Sequence, residues 1–417
     1  LNFKSLDEFI NSTIPEKIQF KGELNIGEPN SEYEALQKVL KVSKKNKKKQ
    51  IANTLNNEVL AENITAKRNN PYYNNSLLDG FAFKSSDTSK NSFFKICGEL
   101  AVGENKKINY IKNHCYRIST GGKIIAPFDC MLPYEQVEII DGLVQISSKV
   151  KKYQNVRLEG SDFKKGNLLI RKNEKLSPAK KLLIKSSGNK IVSTYEKPNI
   201  VLFCSGDEIT DTIVDNEKII NSIPEYFKSF SHQYNFNFHY LGIVKDNKNS
   251  INKTFSKIKN LKSTIIISTG GVSAGHKDYL PKFLKQKKYK IQFHRIGMQP
   301  GRPTLFAVKN NNYYFGLPGN PVSTIVGFHF LVVPLILSMQ NQKVKFKKSK
   351  LLHNHKKNPN LSELRRAFVN EKGVKIVPDQ ESYKLNSLVK ANCWLLLDQK
   401  NKVIKKGEIV KLIEYEN

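Results

Sequence analysis

The feature that most constrains the fold is an alternation of short apolar runs and helical patterns between residues 197 and 340. The runs are rich in β-branched and aromatic residues and have the length of strands: Ile200–Cys204, Asn237–Val244 and Thr264–Ser268. Helical patterns follow them at 222–233, 250–260 and 279–287, and a long apolar helix follows Pro321. This alternation predicts a parallel sheet with helices on both faces, a three-layer α/β domain over residues 196–340.

The remaining sequence predicts a multidomain chain. Short apolar runs between Gly, Asn and Pro clusters indicate a β-rich domain over residues 65–165. Residues 31–64 and 166–195 would together form a linking domain, and residues 341–417 a small C-terminal β domain. Weak periodicity marks residues 1–30 as an N-terminal extension.

The charge of the chain is strongly positive but diffuse. There are 69 Lys and Arg residues against 37 Asp and Glu, a formal net charge of +32. A positive field attracts anions in general, from nucleic acids to small molecules. The one dense cluster comprises Lys44, Lys45, Lys47, Lys48 and Lys49, which we interpret as a solvated loop or helix surface. This distribution does not favour a nucleic-acid partner.

Three features predict a cytoplasmic protein that does not enter a membrane. The longest apolar run, Ile325–Leu337, is shorter than the roughly 20 residues that a spanning helix needs, which predicts a buried helix. Leu1–Glu23 has no signal-peptide core. The five cysteines are scattered without a C-x-x-C pair, a pattern typical of reduced proteins.

Ligands of open parallel sheets bind beyond the carboxyl ends of the strands, so the segments after each strand are candidate site loops. They are Ser205–Glu208, Lys245–Asn247, Thr269–Asp278 and Leu317–Pro321. Glycine lets backbone N–H groups approach an anion, and carboxylates beside an anion require a cation such as Mg²⁺. The predicted ligand is therefore phosphorylated or nucleotide-like, with Mg²⁺ on Glu208, Asp246 and Asp278. The predicted ligand-binding residues are Gly270, Gly271, Ser273, Pro318, Gly319, Asn320 and Pro321.

Each of these loops alone is better explained as a turn or a helix cap, and only the convergence of four such loops on one sheet edge favours a ligand-binding role. A further loop, Gln299–Pro303, places Arg302 between two prolines, where it could hold a tetrahedral oxyanion. A solvent-exposed arginine in a turn explains that loop as well.

Several motifs, in order, resemble one family. They are Asn75–Ala82, Arg117–Gly122 with Asp129 and Glu135, Val156–Asp162, the loops at 205–208, 269–278 and 317–321, Arg365–Arg366, and Ser382–Cys393. From about Glu34 to the C-terminus, the chain resembles the molybdopterin molybdenumtransferases, which include the E domain of gephyrin. The resemblance implies an enzyme that hydrolyses adenylylated molybdopterin, inserts molybdate, and releases AMP and molybdenum cofactor.

The resemblance also implies an assembly and residue roles. Family members are elongated four-domain homodimers whose active site is shared between the sheet domain of one subunit and the β-rich domain of the other. A molybdopterin adenylyltransferase would supply the substrate. The implied catalytic residues are Asp79, Thr120 and Asp278, with Asp278 a candidate general base. The implied molybdate ligands are Gln299, Arg302, Arg366 and Ser382.

The chain departs from the family pattern in its oxyanion loop. Gln299 and Arg302 stand where the family has the two lysines of K-P-G-K-P, so one charge is lost and the preference between molybdate and tungstate could shift. Two alternatives stay open: a molybdopterin adenylyltransferase, which shares the sheet domain, and a non-catalytic molybdopterin-binding protein.

Overall fold

The computed structural model describes residues 29–100, 103, 108, 110–213, 217–245, 247–258, 264–271, 279–398 and 402–415. The chain forms two compact units. Residues 44–197 and 337–342 make up one unit, and the other contains residues 29–43, 198–336 and 343–415. The predicted division into four domains is finer than this and stays a prediction, and most of the predicted N-terminal extension lies outside the described residues.

Helix α1 (Glu32–Lys41) is the first element of the described chain. Its first turn is closed by a capping box. The Glu34 N–H donates to the Ser31 side chain at 3.2 Å, and the Ser31 N–H donates to the Glu34 carboxylate at 2.9 Å. This reciprocal pair satisfies two N–H groups that the helix itself cannot.

The unit of residues 44–197 is rich in β structure. Its strands are β1 (Lys47–Ile51), β2 (Ile64–Thr65), β3 (Asn75–Ser76), β4 (Gly80–Phe83), β5 (Phe93–Leu100), β6 (His114–Ile118), β7 (Cys130–Pro133), β8 (Val137–Ile140), β9 (Leu143–Ile146), β10 (Val156–Arg157), β11 (Leu168–Ile170) and β12 (Ile191–Tyr195). Its helices are α2 (Ser85–Thr88) and α3 (Pro178–Ser186). Strands β7-β4-β6-β5-β9-β8 form a six-stranded sheet, which agrees with the predicted β-rich region.

Three lysines of the cluster, Lys47–Lys49, form a strand, so for them the interpretation as a loop or helix surface was wrong; Lys44 and Lys45 lie in the loop before it. Lys47–Ile51 pairs antiparallel with β12, and its side chains are at least partly exposed. Backbone pairing with β12 stabilises an extended chain there, while the lysine side chains remain hydrated. These lysines are therefore solvated as expected, but on a strand.

The predicted parallel sheet lies in the other unit. Its elements are β13 (Asn199–Cys204), β14 (Ile209–Thr210), β15 (Ile219–Ile220), α4 (Ile223–Ser229), β16 (Asn237–Ile243), α5 (Lys248–Ile258), β17 (Thr264–Thr269), α6 (Tyr279–Gln286), β18 (Lys290–His294), β19 (Met298–Gln299), β20 (Leu305–Lys309), β21 (Asn312–Leu317) and α7 (Pro321–Met339). The strand order is β16-β13-β17-β21-β20-β18. The first four strands are parallel, and β20 and β18 continue the sheet as antiparallel strands.

Helices cover both faces of this sheet. On one face, Val201 of β13 and Tyr314 of β21 pack in a core with Ile251 of α5 and Leu284 of α6. Leu317, three residues after Tyr314, points to the opposite face, since side chains alternate along a strand. There it meets α7, where a Cβ at Gly327 would lie 2.7 Å from the Leu317 side chain.

Helix α7 contains the predicted apolar run but is longer than that run. It has 19 residues and passes the length and composition test for a membrane span, yet 89 % of its most apolar 18 residues are buried in the protein. Its middle, Phe328–Val332, is a π-helical turn. Within it, burial lowers the pKa of His329 to about 3, and His329 Nε2 lies 2.7 Å from the Tyr226 hydroxyl. A neutral, hydrogen-bonded histidine is what a core helix accommodates.

The C-terminal segment adds a second sheet to the same unit. Its elements are β22 (Lys347–Lys350), β23 (His355–Lys356), β24 (Ser362–Asn370), β25 (Gly373–Ile376), α8 (Asn386–Val389), β26 (Cys393–Leu397), β27 (Val403–Ile404) and β28 (Ile409–Glu414). Strand β19, which follows β18, leaves the first sheet and joins this one, in the order β19-β24-β26-β28-β22. The two sheets are therefore connected through the chain around residue 298.

Candidate functional site

Three of the predicted loops meet at the carboxyl edge of the parallel sheet. The Ser205 N–H donates to the Thr269 carbonyl at 2.9 Å, and the Gly270 N–H donates to the Leu317 carbonyl at 3.1 Å. Gly319 extends the group, because a Cβ at that position would lie 3.6 Å from the Gly270 Cα. The sheet thus brings together backbone from positions that are more than a hundred residues apart.

Glycine is required where two of these loops touch. Gly270 has a φ of +83°, and a Cβ there would lie 2.4 Å from the Ser205 carbonyl oxygen. A side chain would therefore strain the backbone and separate the two loops. Gly270 is consequently a packing requirement of the loop junction.

Glu208 presents its carboxylate on the loop after β13. Gly206 has a φ of +147°, and a Cβ there would lie 2.5 Å from a Glu208 carboxylate oxygen. The side chain of Glu208 is exposed, and its carboxylate makes no hydrogen bond or ion pair with another described residue. Because Mg²⁺ binds carboxylate oxygens, the Glu208 side chain has the right chemistry for a metal ligand.

The structure leaves the other predicted metal ligands open. Asp246, Asp278 and Ser273 lie outside the described residues. Over the part of the chain that is described, no three His, Cys, Asp or Glu side chains are grouped closely enough to hold a metal ion. Glu208 is thus the only predicted ligand with a described position, and the magnesium site stays a prediction.

The Pro318–Pro321 loop forms the start of α7. Asn320 is the residue before the helix, and Pro321 occupies its first turn, as expected for a proline that lacks an N–H. The Thr324 N–H donates to the Asn320 carbonyl at 3.0 Å. The Asn320 Oδ1 atom is buried without a hydrogen-bond partner among the described residues, so an acceptor is available there for a ligand donor.

The Gln299–Pro303 loop lies at the end of β19. Gln299 and Arg302 are both exposed. The Ile296 N–H donates to the Arg302 carbonyl at 2.9 Å, and the Thr304 hydroxyl donates to the Gly301 carbonyl at 2.7 Å. These bonds fix the loop backbone while leaving the Arg302 side chain at the surface.

Strand β24 links that loop to the two predicted C-terminal residues. Met298 and Gln299 pair in parallel with Ser362 and Glu363, and the same strand continues to Arg366. Arg366 is 1 % exposed and donates to the carbonyls of Asp379 at 3.0 Å, Glu381 at 3.1 Å and Lys384 at 3.3 Å. Its guanidinium therefore shapes the 379–384 segment, which carries Ser382; a contact of Arg366 with an oxyanion stays a prediction.

Asp79 and Thr120 come together in the unit of residues 44–197. The Thr120 N–H donates to Asp79 Oδ1 at 2.6 Å, although 41 residues separate them. Both residues are exposed. The pairing follows from the sheet, because Asp79 precedes β4, Thr120 follows β6, and these strands are antiparallel neighbours.

One polar group at the sheet edge was not predicted from the sequence. Asp211, Asn221 and Tyr240 form a closed set of hydrogen bonds of 2.8 to 3.0 Å at the edge strand β16. Burial raises the pKa of Tyr240, and the hydrogen bond to the Asp211 carboxylate raises it further. The only sequence signal for it was a tyrosine within the predicted strand Asn237–Val244.

Comparison with known proteins identifies the family. Residues 31–188 match a model described as the MoeA N-terminal region (domains I and II), residues 201–338 a probable molybdopterin-binding domain, and residues 348–415 the MoeA C-terminal region (domain IV).

Named relatives and solved structures agree with these matches. A molybdopterin molybdenumtransferase of Haemophilus influenzae is 30% identical over 369 residues, which cover 85% of this chain and 91% of that protein. One from Staphylococcus epidermidis is 27% identical and covers 92% of this chain and 95% of that protein. The fold is similar to that of a molybdopterin biosynthesis MoeA protein from Pyrococcus horikoshii, with a TM-score of 0.69, 21% identity, and 93% of this chain and 100% of that chain covered. The sequence match over most of both chains shows that this chain belongs to the molybdopterin molybdenumtransferase family.

Proposed function

We propose that this chain inserts molybdate into adenylylated molybdopterin and releases AMP and molybdenum cofactor. The observation that carries the proposal is the junction of the 205, 270 and 319 loops in a chain of this family. A junction of glycine backbone beside an exposed carboxylate suits a phosphate-linked ligand with a cation.

Different residues would bind the ligand and activate the attacking water. The backbone around Gly270, Gly271, Ser273 and Pro318–Pro321 would bind the ligand, with the N-terminal dipole of α7 favouring its anionic part. The Asn320 Oδ1 atom would accept a hydrogen bond from a ligand N–H or O–H. Asp278 would hold the attacking water as general base.

Glu208, Asp246 and Asp278 would hold Mg²⁺, which when bound would neutralise pyrophosphate charge. Gln299, Arg302, Arg366 and Ser382 would receive molybdate, and Arg366 would also keep the 379–384 segment around Ser382 in shape. Arg302 would contribute two N–H donors to the oxyanion.

We further propose a cytoplasmic homodimer in which Asp79 and Thr120 of one copy complete the site of the other copy. The small-molecule substrate would come from a molybdopterin adenylyltransferase. In this scheme, Asp79 would be fixed by the Thr120 N–H before the substrate arrives.

The test measures AMP release by the purified full chain with adenylylated molybdopterin, Mg²⁺ and molybdate. We expect AMP release that depends on molybdate, and none from Asp278→Ala, whose fold is checked by circular dichroism. A non-catalytic binding protein would bind the adenylate without releasing AMP, and an adenylyltransferase would instead form it from molybdopterin and ATP. Either result would overturn the proposal.

A further inference from the structure

A three-residue hydrogen-bond set holds the loop that carries Glu208. The Tyr240 hydroxyl donates to both carboxylate oxygens of Asp211, at 2.8 and 2.9 Å. The Asn221 amide donates to Asp211 Oδ1 at 3.0 Å and to the Tyr240 hydroxyl oxygen at 2.8 Å. Each member therefore contacts the other two.

The set joins the loop to the main sheet at two strands. Tyr240 belongs to β16, the edge strand, and the Asn221 Oδ1 atom lies 3.7 Å from the sulfur of Cys204, the last residue of β13. Asp211 and Asn221 instead belong to the loop, directly after β14 and β15 respectively. Sheet and loop thus share one polar junction.

Strands β14 and β15 form a short ribbon that runs from Glu208 to this junction. The Ile219 N–H donates to the Glu208 carbonyl at 2.8 Å, and the Asn221 N–H donates to the Thr210 carbonyl at 2.8 Å. Glu208 is at one end of the ribbon and Asp211 at the other, about 10 Å apart at the usual rise of a strand. A displacement of the junction would therefore reach Glu208 through the ribbon backbone.

Apolar packing contributes little to holding the ribbon in place. Two of its three isoleucines are largely exposed, Ile219 by 63 % and Ile220 by 51 %, and only Ile209 is partly buried. The hydrogen bonds to Asp211 involve a charged acceptor, and such bonds are stronger than those between neutral groups. Burial raises the pKa of the Tyr240 hydroxyl, so it stays protonated and donates throughout the neutral range.

We propose that Tyr240, through Asp211 and Asn221, is a positioning residue that holds the Glu208 carboxylate at the ligand-binding edge of the sheet. This inference rests on the proposed function, in which the Glu208 carboxylate is a Mg²⁺ ligand. Tyr240 itself does not touch the reacting atoms.

The first test measures hydrogen–deuterium exchange of the full chain in Tyr240→Phe. Loss of the hydroxyl removes the donor to Asp211, so we expect the Ile219 and Asn221 amides to exchange about tenfold faster. The amides of β13 and β17, in the main sheet, should exchange at unchanged rates. The matched control is Tyr289→Phe, since Tyr289 is also a largely buried residue of this unit and its hydroxyl makes no hydrogen bond with another described residue. Equal exchange at Ile219 and Asn221 in both variants would overturn the proposed anchoring.

The second test separates positioning from general stability. In the AMP-release assay, Tyr240→Phe is expected to raise the half-saturating Mg²⁺ concentration about fivefold while kcat changes less than twofold. Asp211→Asn keeps an acceptor for the tyrosine and is expected to be milder than Asp211→Ala. A fall in kcat with unchanged Mg²⁺ dependence would contradict the inference.

The two proposals fail in different ways. Without AMP release by the unsubstituted chain, the proposed function falls, and the exchange measurement still decides whether Tyr240 anchors the ribbon. With AMP release and an unaltered Mg²⁺ dependence in Tyr240→Phe, the function stands and the positioning role falls.

Discussion

At the scale of single residues, Gly206 is the most constrained position near the proposed metal ligand. Its φ of +147° disfavours any other residue, and an added Cβ would meet the Glu208 carboxylate at 2.5 Å. Gly206→Ala should therefore strain the backbone by about 1–3 kcal/mol and displace Glu208. We expect a lower melting temperature together with a severalfold higher half-saturating Mg²⁺ concentration for AMP release.

Gly407→Ala is the matched control for this prediction. Gly407 has a φ of +90°, and nothing lies within 4 Å of an added Cβ. It should lose stability without a change in Mg²⁺ dependence. The same Mg²⁺ dependence in both variants would show that Gly206 matters only for the backbone.

Gln299 tests the proposed oxyanion role of the Gln299–Pro303 loop. Because its side chain is exposed on the same loop as Arg302, Gln299→Lys should add a usable charge at little cost in stability. One exposed charge contributes on the order of 1 kcal/mol, so the half-saturating molybdate concentration should fall about fivefold. Gln145→Lys, in the β-rich sheet, adds the same net charge and should leave the half-saturating molybdate concentration unchanged. An equal fall in both variants would show that the net charge of the chain, and not a charge at position 299, determines molybdate binding.

At the scale of elements, sequence prediction was most accurate where one signal dominates. Strands β13 and β17 are uninterrupted apolar runs, and their observed bounds lie within one residue of the predicted ones. Helix α4 is shorter than predicted, ending at Ser229. Phe230 and Tyr234 have helical spacing, but they pack against His329 of α7 from outside the helix, a tertiary contact that periodicity cannot show.

The candidate site was predictable only in part, for the same reason. Strand order brings the 205, 270 and 319 loops together, and this followed from the α/β pattern alone. The buried position of Arg366 and the Asp211–Asn221–Tyr240 set depend on side-chain contacts between segments far apart in sequence. Such contacts leave no periodic signal.

Strand β24 carries a buried carboxylate whose charge should govern acid stability. Burial would raise the pKa of Glu363, but hydrogen bonds from His355 and Arg365 outweigh it and lower the pKa to about 2. Since the folded-state pKa is depressed, this contribution is present above pH 4.5 and is lost as pH falls through about 2. Glu363→Gln should therefore cost on the order of 2 kcal/mol at neutral pH and progressively less below pH 4.5.

This effect can be measured by urea unfolding, with tryptophan fluorescence as the signal. Trp394 is the one tryptophan of the chain, and it pairs with Arg366 across β26 and β24. The free-energy difference between the two proteins should shrink as the pH is lowered towards 2. A difference that is constant with pH would show that Glu363 acts through packing and not through its charge.

At the scale of the whole molecule, the proposed shared active site predicts complementation between inactive variants. Asp79→Ala and Glu208→Ala should each lack AMP release. In a mixed dimer, one site would combine the intact Asp79 of one copy with the intact Glu208 of the other. After subunit exchange at equal concentrations, about a quarter of the original activity should return, since half of the dimers are mixed and each has one intact site. If each site instead used one copy only, mixed dimers would stay inactive.

The strand pairing between Met298–Gln299 and Ser362–Glu363 has a consequence for how such a chain can be divided. The backbone of β19 finds its sheet partner only in β24, among the described strands, although the two are separated by the whole of α7. A fragment that stops after α7 would retain the parallel sheet but leave β19 as an unpaired edge. Exchange of the C-terminal segment between relatives would therefore also exchange the strand that supports the Gln299–Pro303 loop.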